Sequence, residues 1–188
     1  FAMNFLNKRV EKVKANRGRE LLWILEHPTS YTAGIRSKST EVLDKKIKII
    51  STNRGGKITL HNPGQKIIYF VLDLNKRKKD IRKLISTIEK SIIEFLLLYK
   101  IKGKKDKTNI GIWVKKKKIA AIGLRVSKWV AYHGCSININ NNLKQYHKII
   151  PCGLNNQKIT SIYNEKKILI KNVEKKLENI FIKNIDNI

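Results

Sequence analysis

Two cysteines are the thiol nucleophiles that this sequence offers, and they stand in different surroundings. Cys152 lies between a proline and a glycine in "IIPCG", which predicts a turn that holds its thiol at a loop tip. Cys135 lies in "KWVAYHGCSININ", a predicted strand in which it shares the apolar face with Ile137 and Ile139. A free cysteine is often a small buried hydrophobe, so the strand position favours a structural role for Cys135. Cys152 is therefore the candidate nucleophile.

A thiol with a pKa of about 8.5 needs a neighbouring base or cation, because the thiolate is the form that attacks. Spacing alone does not choose among His27, His61, His133 and His147, of which we expect His61 and His133 to lie in glycine-containing loops. Lys118 is the alternative group that could activate the thiol. It ends a run of four lysines and enters a buried strand directly, where partial desolvation would favour a neutral amine that acts as a base. A cysteine–histidine hydrolase and a cysteine–lysine pair both remain open on this evidence.

The segment "NRGGKITLHNPGQ" lacks the spacing of a nucleotide phosphate cradle, since it contains neither G-x-x-x-x-G-K-[ST] nor G-x-G-x-x-G. Gly55 and Gly56 permit the backbone to approach a ligand closely, with N–H groups free to donate. They are equally compatible with a tight turn of purely structural purpose.

Composition limits the class of protein. The chain has 188 residues, 41% of them hydrophobic, which predicts one domain over residues 1–188. No apolar run reaches the length of about 18 residues that a membrane span needs. Two cysteines are too few for a disulfide scaffold and lack zinc spacing, which favours a reducing cytoplasm and no metal. The net charge of +27 allows a nucleic-acid-binding module, although scattered lysines of this kind more often solvate a surface.

The elements that must position these residues form a mixed α+β pattern. Strands are predicted in "ELLWILEHP", "KIIYFVLDL" and "KWVAYHGCSININ", with two more around the lysine-rich turn of "NIGIWVKKKKIAAIGLRV". "STNRGGKITLHNPGQ" is predicted to be a structured loop. The strongest helix follows Asp80 as N-cap, a second amphipathic helix is predicted from Glu165 to Ile185, and the opening residues resemble the inside of a third. That opening suggests that the true start of the chain is missing.

Four motifs in order, "LEHPTSYTAG", "RGGKITLHNPGQ", "KKIAAIGLRVSKWVAYHG" and "IIPCG", closely resemble the lipoyl(octanoyl) transferase family. Enzymes of this family move an octanoyl group from octanoyl-acyl carrier protein to lipoyl domains. The resemblance covers Leu21 to Ser161. It implies an α+β fold of the biotin/lipoate protein ligase type, a mixed sheet flanked by helices, with no cofactor. It also implies acceptors in 2-oxoacid dehydrogenase complexes and the glycine cleavage H protein, and no nucleic-acid or membrane partner.

The resemblance further implies which residues act. Cys152 takes the place of the catalytic cysteine in P-C-G, and Lys118 that of the catalytic lysine in K-I-A-x-I-G. Three segments take the place of substrate contacts: Arg54, Gly55, Gly56, Lys57, Ile58, Thr59, Leu60 and His61; Ala121, Ile122 and Gly123; and Gly134, Cys135 and Ser136.

Departures from the family pattern are Asn62, where glycine is usual, Cys135, where a larger apolar residue is common, and the lack of the strand and turn expected before Phe1. An ATP-dependent lipoate or biotin ligase of the same fold is the nearest rival, and the cysteine in the P-C-G turn argues against it.

Overall fold

The computed structural model describes residues 1–106, 108–151 and 159–188. The helices are α1 (Ala2–Lys14), α2 (Ile81–Leu97), α3 (Ile162–Lys166) and α4 (Val173–Ile185). The strands are β1 (Leu21–Leu25), β2 (Ser30–Ala33), β3 (Ile49–Ser51), β4 (Thr59–His61), β5 (Gln65–Asp73), β6 (Lys104–Lys105), β7 (Gly111–Val114), β8 (Lys117–Ser127) and β9 (Val130–Asn138). In these ranges, no helix is long and apolar enough to cross a membrane.

Two sheets organise the strands. The larger has the order β1-β5-β9-β8-β7-β6, and its neighbours are antiparallel throughout. The smaller has the order β3-β2-β4, with β3 parallel and β4 antiparallel to β2. The segment predicted to be a loop thus contains β4, and β2 and β3 were not predicted. These strands are three or four residues long, which is too short for alternation of apolar and polar residues to reveal them.

The central strand β5 is buried on both faces, as its continuous apolar sequence predicts. Ile68, Phe70 and Leu72 point to a core that α2 and α4 complete. Ile67 and Tyr69 point the other way, towards α1. The large sheet therefore has helices on both of its faces, and the predicted α+β class is confirmed.

Helix α2 begins where the sequence predicts. The Asp80 carboxylate accepts a hydrogen bond from the backbone N–H of Lys83 at 2.9 Å, so Asp80 is the N-cap. Its buried stripe includes Leu84, Ile88 and Phe95, which pack into the main core.

The predicted extent of the last helix, Glu165 to Ile185, is wrong. Two helices occupy this region, α3 and α4, and left-handed residues separate them: Lys167 at φ 58° ends α3, and Asn172 at φ 54° precedes α4. The hydroxyl of Ser161 accepts from the backbone N–H of Asn164, which starts α3 before the amphipathic pattern begins. The prediction failed because the helical spacing of apolar residues continues between α3 and α4, where the left-handed backbone interrupts the helix.

Candidate active site

A cavity of about 870 Å³ is bounded by both sheets and by the start of α1. Most of its surface is apolar, although about half of the residues that line it have polar side chains. The residues of the sequence-based assignment that line it are Arg54, Gly56, Lys57, Thr59, His61, Lys118, Ala121, Ile122, Gly123, Gly134, Cys135 and Ser136. Three other residues of that assignment, Gly55, Ile58 and Leu60, do not line the cavity. Ile58 and Leu60 are buried in a separate small core beneath β2, and the Gly55 N–H donates to the Leu124 carbonyl at 2.9 Å. That amide is therefore not free for a ligand.

Lys118 is a buried lysine in the lining of this cavity. It is the second residue of β8 and is 6% exposed. Its Nζ donates to the Ile110 carbonyl at 3.0 Å and lies 5.2 Å from the centroid of the Trp113 ring. Backbone and aromatic neighbours thus fix the position of the amine.

The carbonyl that receives Lys118 belongs to a tightly bonded turn. Asp106 accepts from the backbone N–H of Thr108 at 2.9 Å and from that of Asn109 at 2.8 Å. The Trp113 indole N–H donates to the Asn109 carbonyl at 3.0 Å. Sequence reasoning missed this turn, although Asp-x-Thr-Asn before a glycine is a pattern typical of side-chain-capped turns.

Gly111 makes room for the lysine. Its φ of +138° lies in a region that favours glycine. A Cβ at this position would lie 2.5 Å from the Ala120 carbonyl oxygen and 2.6 Å from Cε of Lys118. A side chain at position 111 and the observed lysine rotamer therefore exclude each other.

We expect Gly111→Ala to lower the catalytic turnover at least about tenfold, because a buried amine that is displaced by an ångström loses its alignment with the reacting groups. The strained backbone should also cost about 1–3 kcal/mol of unfolding free energy. Gly103→Ala is the matched control. Its Cβ would meet Ile112 at 2.7 Å and Leu96 at 2.9 Å, away from Lys118. That variant should lose stability but keep its turnover per folded molecule, and equal losses of turnover in both variants would contradict this prediction.

Cys152 lies outside the described residues, but the described positions on either side of that segment are close to Lys118. Pro151 and Ile159 line a small pocket together with Lys118. Ile159 forms a parallel bridge with Lys118, and the Thr160 N–H donates to the Lys118 carbonyl at 2.9 Å. The chain therefore enters and leaves this segment beside Lys118.

Cys135 is a core residue, as its place in the strand predicts. It is 5% exposed on β9, between Ile68 of β5 and Ile122 of β8. Burial raises the pKa of its thiol far above the ordinary value. Although it lines the cavity, its sulfur stays protonated near neutral pH and is a poor nucleophile.

The histidines are placed differently from expectation. His61 lies on β4 and His133 on β9, so the prediction that both occupy loops is wrong. A ring nitrogen of His61 is 2.7 Å from Oε1 of Gln65, and one of His133 is 2.6 Å from Oδ1 of Asn53. Burial lowers the pKa of each imidazole to about 4.

The other two histidines are His27 and His147. His27 follows β1 and is hydrogen-bonded to the Tyr69 hydroxyl at 2.9 Å, and burial lowers its pKa. His147 is exposed on a short 3-10 helix, Leu143–Lys148. His27 and His61 line the cavity as neutral groups with hydrogen-bond partners at neutral pH.

The buried histidines His61 and His133 predict how the stability of the fold depends on pH. Between pH 6.5 and about 4 the unfolded chain binds protons at His61 and His133, whereas the folded chain keeps both neutral. The free energy of unfolding should therefore fall as the pH is lowered through this window, by up to about 3 kcal/mol for each histidine. Chemical denaturation at several pH values measures the slope. His133→Gln should flatten it and the exposed His147→Gln should not, whereas an unchanged slope in both would contradict the prediction.

Arg54 braces the loop that borders the cavity. Its guanidinium donates to the Lys57 carbonyl at 2.8 Å and to the Thr32 hydroxyl at 2.9 Å, which ties the loop to β2. Gly55 must lie close to β8, because a Cβ there would be 2.7 Å from the Leu124 carbonyl oxygen. Gly55 and Gly56 were predicted to let the backbone approach a neighbour closely. At Gly55 this happens, because the loop that leads to the small sheet lies directly against β8 of the large sheet.

Asn62, the departure from the family pattern, lies behind the cavity and not in its lining. Its side chain is buried, donates to the Asn142 carbonyl at 2.9 Å and accepts from Nδ2 of Asn141 at 2.9 Å. Asn62 therefore holds the turn after β9 in place. Among residues 1–106, 108–151 and 159–188, no cluster of side chains is suited to hold a metal ion.

A cavity with a largely apolar surface and a buried lysine in its lining, in an α+β fold, suits an enzyme that handles an acyl chain. Residues 1–182 match the lipoyl protein ligase A/B catalytic domain. The octanoyltransferase of Bartonella tribocorum is 42% identical over 177 residues, 87% of this chain and 72% of that protein. The octanoyltransferase of the Wolbachia endosymbiont of Brugia malayi is 42% identical over 188 residues, 97% of this chain and 90% of that protein. The chain belongs to the lipoyl protein ligase A/B catalytic domain family and, within it, to the octanoyltransferases.

Solved structures agree with this fold. The bipartite lipoate protein ligase of Thermoplasma acidophilum superposes with a TM-score of 0.72 at 14% identity, over 97% of this chain and 80% of that one. The predicted fold of the lipoate protein ligase type is confirmed, and the chain is an acyltransferase.

Proposed function

We propose that this enzyme transfers an octanoyl group from octanoyl-acyl carrier protein to the lysine amine of lipoyl domains, through an acyl-thioester on Cys152. The observation that carries the proposal is the position of Lys118. Its side chain is buried and lines the cavity, and its backbone lies beside the chain that leads into and out of the segment containing Cys152. A cation at that place stabilises a thiolate.

The first half-reaction forms the acyl-enzyme. The Cys152 thiolate attacks the thioester carbonyl of the donor, a tetrahedral oxyanion forms, and its collapse expels the phosphopantetheine thiolate, which takes up a proton. One thioester replaces another at nearly equal energy, so the step needs no ATP. The Gly55 amide is bonded to Leu124 and is not the oxyanion donor. We expect the oxyanion donor among the backbone amides near Gly123 or the remaining amides of the Arg54–Gly56 loop, because Gly123, Arg54 and Gly56 line the cavity.

The second half-reaction forms the amide. The amine of the acceptor lysine attacks the acyl-Cys152 carbonyl, the Cys152 thiolate leaves, and the amine must lose a proton. Lys118 in its neutral form accepts this proton as general base. The thioester provides the driving force, so this step also proceeds without ATP.

The cavity suits the acyl chain. Trp23, Leu25 and Ile67 give it apolar walls, and each buried methylene contributes about 0.8 kcal/mol, so cavity depth selects chain length. We further propose that residues 1–188 act as one catalytic domain. Its acceptors would be the lipoyl domains of 2-oxoacid dehydrogenase complexes and the glycine cleavage H protein, and its net charge of +27 favours encounter with acidic partners.

Intact-protein mass spectrometry tests this function. The enzyme is mixed with octanoyl-acyl carrier protein in the absence of ATP, and the adduct is located by peptide mapping. We expect an octanoyl adduct on Cys152 that disappears when a lipoyl domain is added. If folded enzyme forms no adduct and modifies the acceptor only with ATP and free octanoate, the enzyme is a ligase and the proposal is wrong.

A further inference from the structure

An exposed apolar pair lies at the turn between α3 and α4. Ile168 is 42% exposed and Leu169 is 73% exposed. The following residue, Ile170, packs against the main core, and Val173 is buried, so the turn is anchored. The backbone thus presents two large apolar side chains to solvent from a fixed position.

Lysines surround this pair. Lys166, Lys167 and Lys171 are exposed in the same turn, and Lys115 and Lys116 are exposed at the β7–β8 turn. The two turns meet. Nζ of Lys117 lies 3.9 Å from the Glu165 carboxylate, and the Thr160 N–H donates to the Lys118 carbonyl. We name these residues the lysine–leucine patch: Lys115, Lys116, Lys117, Lys166, Lys167, Ile168, Leu169 and Lys171.

The charge of the patch is nearly all of one sign. It contains six lysines, and the acidic side chain among them, Glu165, is occupied by Lys117 and by the Thr160 hydroxyl at 2.7 Å. Like charges so close together repel each other, and an acidic partner relieves that repulsion. The apolar pair supplies the desolvated centre that a protein interface needs, inside a charged rim.

We propose that the lysine–leucine patch docks the acidic carrier protein that delivers the acyl thioester. This inference rests on the proposed function and adds the surface that recognises the donor. Carrier proteins of this kind are acidic, and a partner surface that combines carboxylates with apolar side chains complements the patch in both charge and shape.

The position of the patch favours the donor over the acceptor. Helices α3 and α4 pack on the face of the large sheet opposite to Ile67 and Tyr69, which line the cavity. Adjacent residues of β8 point to opposite faces, so Lys117 belongs to the patch while Lys118 lines the cavity. A group delivered from this side must pass around the strand end. The phosphopantetheine arm of a donor is long enough for that path, whereas the acceptor offers one lysine side chain and must dock at the cavity itself.

Steady-state kinetics with two donors tests the patch. Octanoyl-acyl carrier protein carries the protein surface, and octanoyl-pantetheine carries only the arm. Lys116→Glu/Lys167→Glu should raise the KM for the protein donor about tenfold, which corresponds to about 1.4 kcal/mol, with kcat within about twofold, because both charges that face the acidic partner are reversed. Leu169→Ser should raise the same KM several-fold. Neither variant should change kcat/KM for octanoyl-pantetheine.

Lys8→Glu/Lys12→Glu on α1 is the matched control, since both lysines are exposed and the change in net charge is equal. An equal rise of KM in this control would show that the net charge acts and not the patch, which overturns the inference. A rise in the KM for the lipoyl domain alone would assign the patch to the acceptor and also overturns it. If the wild-type enzyme transfers octanoyl from neither donor without ATP, the proposed function itself fails.

Discussion

Replacing Cys152 by serine is expected to lower octanoyl transfer by roughly a thousandfold or more, because the reaction loses the nucleophile that forms the covalent intermediate. A serine hydroxyl near neutral pH is a far weaker nucleophile than a thiolate beside a cation. Two measurements check the result: steady-state transfer to a lipoyl domain, and the octanoyl adduct in intact-protein mass spectrometry. The transfer activity and the adduct should be lost together.

Cys135→Ser is the matched control, because it makes the same atomic change at the other cysteine. The Cys135 thiol is buried and its pKa is raised, so the side chain takes no part in attack. The variant should keep most of its activity, with a loss of about 1–3 kcal/mol of unfolding free energy for a buried hydroxyl that lacks a partner. If Cys135→Ser abolishes transfer in folded protein and Cys152→Ser does not, the assignment of the nucleophile is wrong.

The sequence predicts the long elements of this fold well. Strands β5, β8 and β9 and helix α2 have apolar patterns that extend over enough residues to establish a period, and Asp80 marks the start of α2. The small sheet escaped prediction because its strands are three or four residues long. The break between α3 and α4 escaped prediction because Lys167 adopts a left-handed conformation that is unusual for lysine, and a single asparagine at position 172 is only a weak signal of such a conformation.

The surroundings of Lys118 show where sequence reasoning ends. The residue type and its place before an apolar strand identify a candidate base. Its position depends on the Ile110 carbonyl and the space left by Gly111, which β7 brings alongside β8. Such contacts arise from strand pairing and not from local pattern. The histidines illustrate the same limit, because neighbouring glycines suggested loops where His61 and His133 lie in strands.

Lys118→Arg is expected to lower transfer to the lipoyl domain by roughly a hundredfold or more, since a general base contributes about that much and arginine cannot give up its proton. The guanidinium keeps a positive charge at position 118, so under the proposed mechanism the first half-reaction should suffer less than the second. Lys118→Met removes the charge and should impair both. Single-turnover measurements separate the two steps: formation of the octanoyl adduct from the donor, and its loss after a lipoyl domain is added.

Lys14→Arg provides the control, because Lys14 is also largely covered but pairs with Glu11 on α1, away from the cavity lining. It should transfer octanoyl at the wild-type rate. Gly111 leaves little space beside Lys118, so the larger arginine also tests the fit of the side chain. If Lys118→Arg nevertheless releases the acyl group to the acceptor at nearly the wild-type rate, Lys118 acts through its charge alone. The proton of the attacking amine must then go to a different group.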